Sequence, residues 1–323
     1  MKKILVIGLL LAATTAGANN YLTSYAYYPV ISSTNGAGGT RWQTEFSITN
    51  PHPFDITITF YVAHNGSYDE YLLTVSGGET LTWSDFLANG FHLSGNAAVY
   101  VTAEDDRNPG HNSDCLSFSS GAKVYNTGGS GGTYGQEIPQ ADVLSGFLGS
   151  YVAYFSGVKN FGTPGSSGYR TNIGFWHTGF STKNLRARIF NGAGTKIWES
   201  TITVERHKPK VVSIPANVQA GVLVIDTMGE YVDCAVYISV VDNRTGDGAF
   251  RSMTKADPDD LAVCGGLAKC GWISPTTASP TTRDEAADRL HRLITGDSTS
   301  AIDPLPVGQP DGGYEPPSPP SER

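Results

Sequence analysis

A few groups of residues in this sequence have types and spacings that chemistry could use. Gly128-Gly129-Ser130-Gly131-Gly132 meets the G-x-S-x-G spacing of a hydrolase nucleophile. Such a serine must stand on a turn between a strand and a helix so that its hydroxyl projects freely. Ser130 instead sits in a glycine run leading to Thr133-Tyr134-Gly135, and the spacing alone does not make a nucleophile. Glycoside hydrolysis needs only two carboxylates across a cleft, and Glu104-Asp105-Asp106 is the densest early acidic run. It precedes Arg107-Asn108-Pro109-Gly110, a turn composition that reads as a solvated hairpin loop. The seven histidines, His52, His64, His92, His111, His177, His207 and His291, are scattered singly, with no HExxH pair and none beside a cysteine. No residue is therefore assigned a catalytic or cofactor-binding role.

Calcium is the one ionic candidate. Asp242, Asn243, Thr245 and Asp247 put hard oxygen ligands in a glycine-containing turn, but the twelve-residue loop and closing Glu of an EF-hand are missing. The competing reading, in which Asp242 and Asn243 bond their own backbone to close the turn, is preferred. Four cysteines, Cys115, Cys234, Cys264 and Cys270, allow three disulfide pairings. Cys264 and Cys270 flank Gly265-Gly266 and can close a short loop, so their pairing is favoured, while Cys115 and Cys234 are expected to stay apart. Zinc would need more ligands nearby, and no histidine lies between Lys255 and Arg289. Neither GxxxxGK nor a strand-to-helix GxGxxG is present to cradle a phosphate.

The elements that would carry these residues read as strands. Phe46 and Ile48 alternate with Glu45, Ser47 and Thr49, and Ile56, Ile58 and Phe60 with Thr57, Thr59 and Tyr61. This period of two is that of a half-buried strand, and no helical period interrupts it from Tyr21 to about Phe250. The pattern then recurs. Trp42–Ile48 matches Tyr169–Phe175, Ile56–Phe60 matches Leu185–Ile189, Ala97–Val101 matches Gly221–Ile225, and Ala122–Asn126 matches Ser239–Asn243, in the same order. The chain is thus expected to be all-β, with two tandem antiparallel immunoglobulin-like sandwiches over 19–147 and 148–250. Trp42, Trp83, Trp176 and Trp198 are read as core or core-rim residues.

The blocks Thr133-Tyr134-Gly135-Gln136-Glu137-Ile138-Pro139, Arg170-Thr171-Asn172-Ile173-Gly174 and Val241-Asp242-Asn243-Arg244-Thr245-Gly246-Asp247 resemble those of secreted bacterial proteins with paired immunoglobulin-like sandwiches. The resemblance covers about 230 residues. It implies the fold and an extracellular setting, but brings no activity or catalytic residue with it.

The two ends differ from this body. Lys2 and Lys3, the apolar stretch Ile4–Ala13 and Ala16-Gly17-Ala18 compose a cleavable secretory signal peptide over 1–18, too short an apolar run to span a bilayer. The protein is therefore expected outside the cell, in the periplasm or at the cell surface, without a transmembrane segment in the mature chain. Ten of the 18 prolines fall within 251–323, whose composition predicts a mostly disordered tail. One short helix is predicted near 283–295, opened by the capping box Thr282-Arg283-Asp284-Glu285 and carrying the stripe Ala286, Leu290, Leu293 and Ile294. A dozen residues need tertiary support, so it is expected to dock on the second sandwich rather than engage a partner.

Composition narrows the function classes. A net charge of −8 and no basic cluster argue against nucleic acid. The leading expectation is a non-catalytic exported protein, a binding, adhesive or structural module facing an extracellular protein or glycan surface. The alternative is a carbohydrate-active protein that stacks sugars on exposed Tyr25, Tyr27 and Tyr28.

Overall fold

The structure, a computed structural model, describes residues 22–256 apart from 37–38, 105–115, 129–133, 142–146, 194 and 216. The signal-peptide segment 1–18, Asp105, Asp106, Ser130, Cys115, Cys264, Cys270 and the helix near 283–295 lie outside the described residues.

Runs of β-branched and aromatic residues form strands, as their period requires, and every pairing between them is antiparallel apart from one isolated bridge. In the first half β1 (Tyr25–Asn35), β2 (Arg41–Thr49), β3 (Ile56–His64), β4 (Ser67–Val75), β5 (Thr80–Trp83), β6 (Gly95–Glu104), β7 (Ser119–Asn126) and β8 (Tyr134–Ile138) follow one another. They form the layers β4-β3-β6-β1 and β5-β2-β7-β8, joined into one eight-stranded sheet where Ser33–Asn35 of β1 pairs with Arg41–Gln43 of β2. The register of β1 against β6 shifts between Tyr28 and Ile31, around Pro29, which has no N–H to give to the ladder.

The second half contains β9 (Phe147–Gly149), β10 (Val152–Asn160), β11 (Tyr169–His177), β12 (Lys183–Asn191), β13 (Lys196–Val204), β14 (Lys210–Ser213), β15 (Val218–Asp226), β16 (Val232–Asp242), β17 (Gly248–Ser252) and β18 (Thr254–Ala256). Its sheets run β13-β12-β15-β10-β18 and β14-β11-β16-β17, with β9 also on β16. Strand for strand this is the order of the first half, and β2 and β11 occupy equivalent central places. Only a single bridge, Phe161 to Tyr169, marks the corner where β1 and β2 join in the first half. The chain is thus all-β, two tandem immunoglobulin-like sandwiches, the second continuing through Ala256.

Each sandwich has its own core. Phe46, Ile58, Phe60 and Val99 lead the first, and Phe175, Leu185, Leu223 and Ile238 the second. A five-residue π-helical turn, Phe86–Gly90, plugs one end of the first core with Phe86 stacked 4.3 Å from Phe46. Burying a side chain of this size contributes about 2 kcal/mol, and such contacts recur through both layers.

Strand pairing corrects two of the sequence matches. Ala122 lies opposite Phe46, and Ile238, not Ser239, lies opposite the equivalent Ile173, so Asn126 corresponds to Asp242 rather than Asn243. Matching Asn126 to Asn243 sets the register one residue off, which would turn every side chain of β16 to the wrong face. The β3 match slides by two residues, which leaves its faces unchanged: Tyr61 opposite Tyr100 corresponds to Arg188 opposite Val224.

Candidate functional site

The residues that stand out chemically gather where the two sandwiches meet. Tyr27, Tyr100 and Tyr61 form a cross-strand row on the outer face of β1, β6 and β3. Tyr27 and Tyr100 stack at 4.5 Å between ring centres, and Tyr100 and Tyr61 at 5.5 Å. Phe147, Trp176 and Ala235 of the second sandwich lie over this row, Phe147 edge-on to Tyr27 at 5.7 Å and Trp176 at 6.5 Å. Ring pairs of this kind are worth about 1 kcal/mol each beyond the area they bury. Trp176 is therefore a packing residue, but of the seam between sandwiches rather than of one core. Trp42, Trp83 and Trp198 are half-buried against the cores.

The same packing overturns the proposed sugar platform. Tyr27 is 1% exposed and Tyr28 fully buried, while Tyr25 is half-buried with its ring tilted against Tyr27. Residues Ala26–Ile31 are covered on one face by their own core and on the other by the second sandwich, so both members of the alternation are inside. Tyr28 bonds with Ser120 Oγ and accepts from Gln140, and burial pushes its hydroxyl up to about 12.

A second contact is polar. The turn between β3 and β4 reaches the second sandwich, where Gly66 N–H donates to the His207 carbonyl at 3.2 Å. The His207 ring lies edge-on to Tyr68 at 5.2 Å, is 3% exposed, and has no hydrogen-bond partner among the described residues on either ring nitrogen. Burial, then the charge of Arg206 and the neighbouring His177, lower its pKa to about 4. Its backbone sits at φ 53°, in the left-handed region, and its N–H donates to the His177 carbonyl. His177 is itself buried, with Nδ1 3.0 Å from the Asp233 carbonyl and Nε2 2.8 Å from that of Ser181. Beside the seam lies a cavity of about 160 Å³, lined by Pro29, Pro139 and Gln140 from one side and Val236, Tyr237 and Phe250 from the other.

The buried carboxylates are engaged by donors from their own sandwich. Asp85 accepts from Ser33 Oγ at 2.9 Å and Gln43 Nε2 at 2.8 Å, with Arg41 at 3.5 Å, and also caps the π-helical turn through Ala88 N–H. Asp226 accepts from Arg188 at 2.5 Å, Arg186 at 3.1 Å and the Met228 N–H at 3.0 Å. In the calcium candidate, Asp242 Oδ1 accepts the N–H groups of Arg244 and Thr245, which together with nearby charge hold its carboxyl below the usual range. Asn243 Oδ1 accepts from Arg170, while Asn243 Nδ2 donates to the Phe161 carbonyl. Asp247 lends its carbonyl to the N–H of Asp242 and takes Thr245 Oγ1 on its own N–H. Among the described residues no three His, Cys, Asp or Glu side chains assemble as a metal cage. Cys234, opposite His177 in the ladder, is a buried free thiol whose pKa burial raises.

Sequence reasoning missed the seam. Its signal was available: Tyr27, Tyr61, Tyr100 and Trp176 occupy the positions that alternation assigns to the outer face, where a sheet open to water carries polar residues. The cover on Tyr27 comes from Phe147 and Trp176, more than a hundred positions away, and no local pattern names it.

No family model matches this chain, and no curated protein does either. Among solved structures it is similar, at 10% identity, to a β-glucuronidase of Bacteroides uniformis, covering 72% of this chain and 27% of that one with a TM-score of 0.17. A β-glucuronidase of Bifidobacterium dentium complexed with coumarin-3-O-glucuronide is also 10% identical, over 71% of this chain and 38% of that one, at 0.16. A glycosyl hydrolase family 2 member from Bacteroides cellulosilyticus gives 10%, 82%, 38% and 0.16 in the same order. The chain spans between a quarter and two-fifths of the length of these proteins. Likeness this slight says nothing of a shared activity.

Proposed function

We propose that this is an exported, non-catalytic protein whose two sandwiches form one stiff body presenting loops and strand edges to an extracellular protein or glycan. The observation that carries the reading is how the chemically capable side chains are used. Asp85 and Asp226 are saturated by hydrogen bonds that hold strands and turns together, and the aromatic row is spent on joining the sandwiches. Catalysis needs a nucleophile, acid or base held free beside a space for substrate. Binding needs a surface, which loops on a rigid scaffold supply. Export rests on the signal-peptide composition of residues 1–18. Among the described residues no helix is long and apolar enough to cross a membrane.

The test is a screen of the purified protein on immobilised glycans and extracellular matrix proteins, with ester, peptide and glycoside hydrolysis panels run with and without calcium. Saturable binding without turnover is expected. Reproducible turnover that vanishes when one carboxylate is replaced, for instance in Asp242→Asn, would sink the non-catalytic reading in favour of the carbohydrate-active one.

A further inference from the structure

The two sandwiches protect their sheet edges differently. β4 and β13 close equivalent edges, each nine residues long and paired on one side only among the described residues. An open edge offers unpaired N–H and C=O groups to any strand that reaches it, and proteins blunt such edges with lysine, proline or a bulge. β13 has two of these devices, Lys196 and a register shift against β12 between Ile189 and Phe190. β4 has none: from Ser67 to Val75 it contains no Lys, Arg or Pro, and its nine pairs with β3 run without a shift. One side chain marks the difference. Two residues before the equivalent pair Tyr61 and Arg188 stand Thr59 and Arg186, which face Leu72 in β4 and Thr201 in β13. Leu72 is 65% exposed, the most of any large apolar side chain among the described residues.

We propose that β4 is a dimerisation edge, at which two copies of this chain pair antiparallel about a twofold axis through Leu72. The hairpin sets which backbone groups are available. Asn65-Gly66 is a two-residue loop with both residues at positive φ, so His64 and Ser67 close it as a hydrogen-bonded pair. Alternation then turns the N–H and C=O of Glu70, Leu72 and Thr74 to the open side, and all three residues are exposed. With the axis at Leu72, that residue bonds its own counterpart and Glu70 bonds Thr74 of the other copy, roughly six backbone hydrogen bonds in all. The side chains agree with this register. The two leucines cover each other, and Tyr71 of each copy meets Leu73 of the other, both already packed against the first core. Glu70 and Asp69 fall opposite Thr74 and Val75, so no two acids meet. Moving the axis to Tyr71 or Leu73 would separate the leucines, and moving it to Glu70 would set two carboxylates face to face. The edge is thus self-complementary about Leu72, as a closed twofold contact requires. This pairing is independent of what the loops bind.

Sedimentation of the purified protein tests this. Between about 1 µM and about 500 µM its mass should rise towards that of two chains. Leu72→Lys alters an exposed side chain and sets two ammonium groups opposite each other, so it should raise the dissociation constant at least tenfold. Thr201→Lys, at the equivalent place on β13, should leave that constant unchanged. Cross-linking reads the register independently of affinity. A hydrogen-bonded antiparallel pair holds its Cα atoms about 5.5 Å apart, within disulfide reach, whereas the two Thr74 positions would stand about 14 Å apart. Under mild oxidation Leu72→Cys should therefore form a disulfide between copies at least tenfold faster than Thr74→Cys. A mass that stays that of one chain, a dissociation constant indifferent to Leu72→Lys, or equal cross-linking rates would each overturn the proposal. Dimerisation abolished by Thr201→Lys would overturn it too, by giving the contact to β13.

Discussion

Acidification should loosen the protein through His207, and by an amount that the structure sets. Its imidazole is buried beside Tyr68, with no acceptor for a second N–H and with Arg206 adding like charge, so its pKa falls from 6.5 to about 4. A base whose folded pKa is depressed binds fewer protons folded than unfolded between these values. Stability is therefore unaffected above pH 6.5, is lost as pH falls towards 4, and loses no more from this group below that. A gap of about 2.5 units at 1.36 kcal/mol per unit amounts to roughly 3 kcal/mol. The comparison protein is His207→Asn, because asparagine tolerates the left-handed backbone at φ 53° and does not titrate. Urea unfolding at pH 7.5, 6, 5 and 4.2 gives two stability curves, and the carboxylates that titrate in both cancel in the difference. The unmodified protein should lose about 3 kcal/mol more than the variant across that range. Curves that stay parallel within 0.5 kcal/mol would mean that His207 takes up its proton without cost, and the burial argument would fail.

Three further outcomes follow from the packing. Asp226→Asn removes the buried carboxylate that faces the Arg188 guanidinium at 1% exposure and should cost about 3 to 5 kcal/mol in denaturant unfolding; a loss under 1 kcal/mol would show that water reaches the pair. Gly174→Ala puts a Cβ 1.8 Å from Cζ of Tyr237, which lies across the ladder from it and stacks on Phe250 at 4.7 Å. That ring must move, so the melting temperature should drop by an amount corresponding to about 3 kcal/mol, and an unchanged value would contradict the contact. Trp176→Ala removes the indole that lies against Tyr27 and should cost about 3 to 5 kcal/mol. Calorimetry should then resolve two transitions in place of one, whereas a single unshifted transition would mean that the seam does not couple the sandwiches.

Much of the architecture was legible in the chain because a strand with one wet face writes its period of two directly into the sequence. Phe46, Ile48, Ile173 and Phe175 lie in the cores that their alternation implies, and two copies of one strand order follow from the repeated blocks. The turn at Asp242 was legible for a similar reason: an aspartate bonding N–H groups two and three residues on is local chemistry. Register was less so, since Ser239 and Ile238 differ by one position and only the partner strand decides which faces inward. The fate of Tyr27 and Trp176 was not legible at all. A tyrosine on an outer strand position is a ligand platform if that face meets water and packing if another sandwich covers it, and the covering residues are a hundred or more positions away. Local sequence determines which side chains share a face. Only the tertiary structure determines what lies against that face, and here that choice decided whether aromatic residues bind a ligand or hold the molecule together.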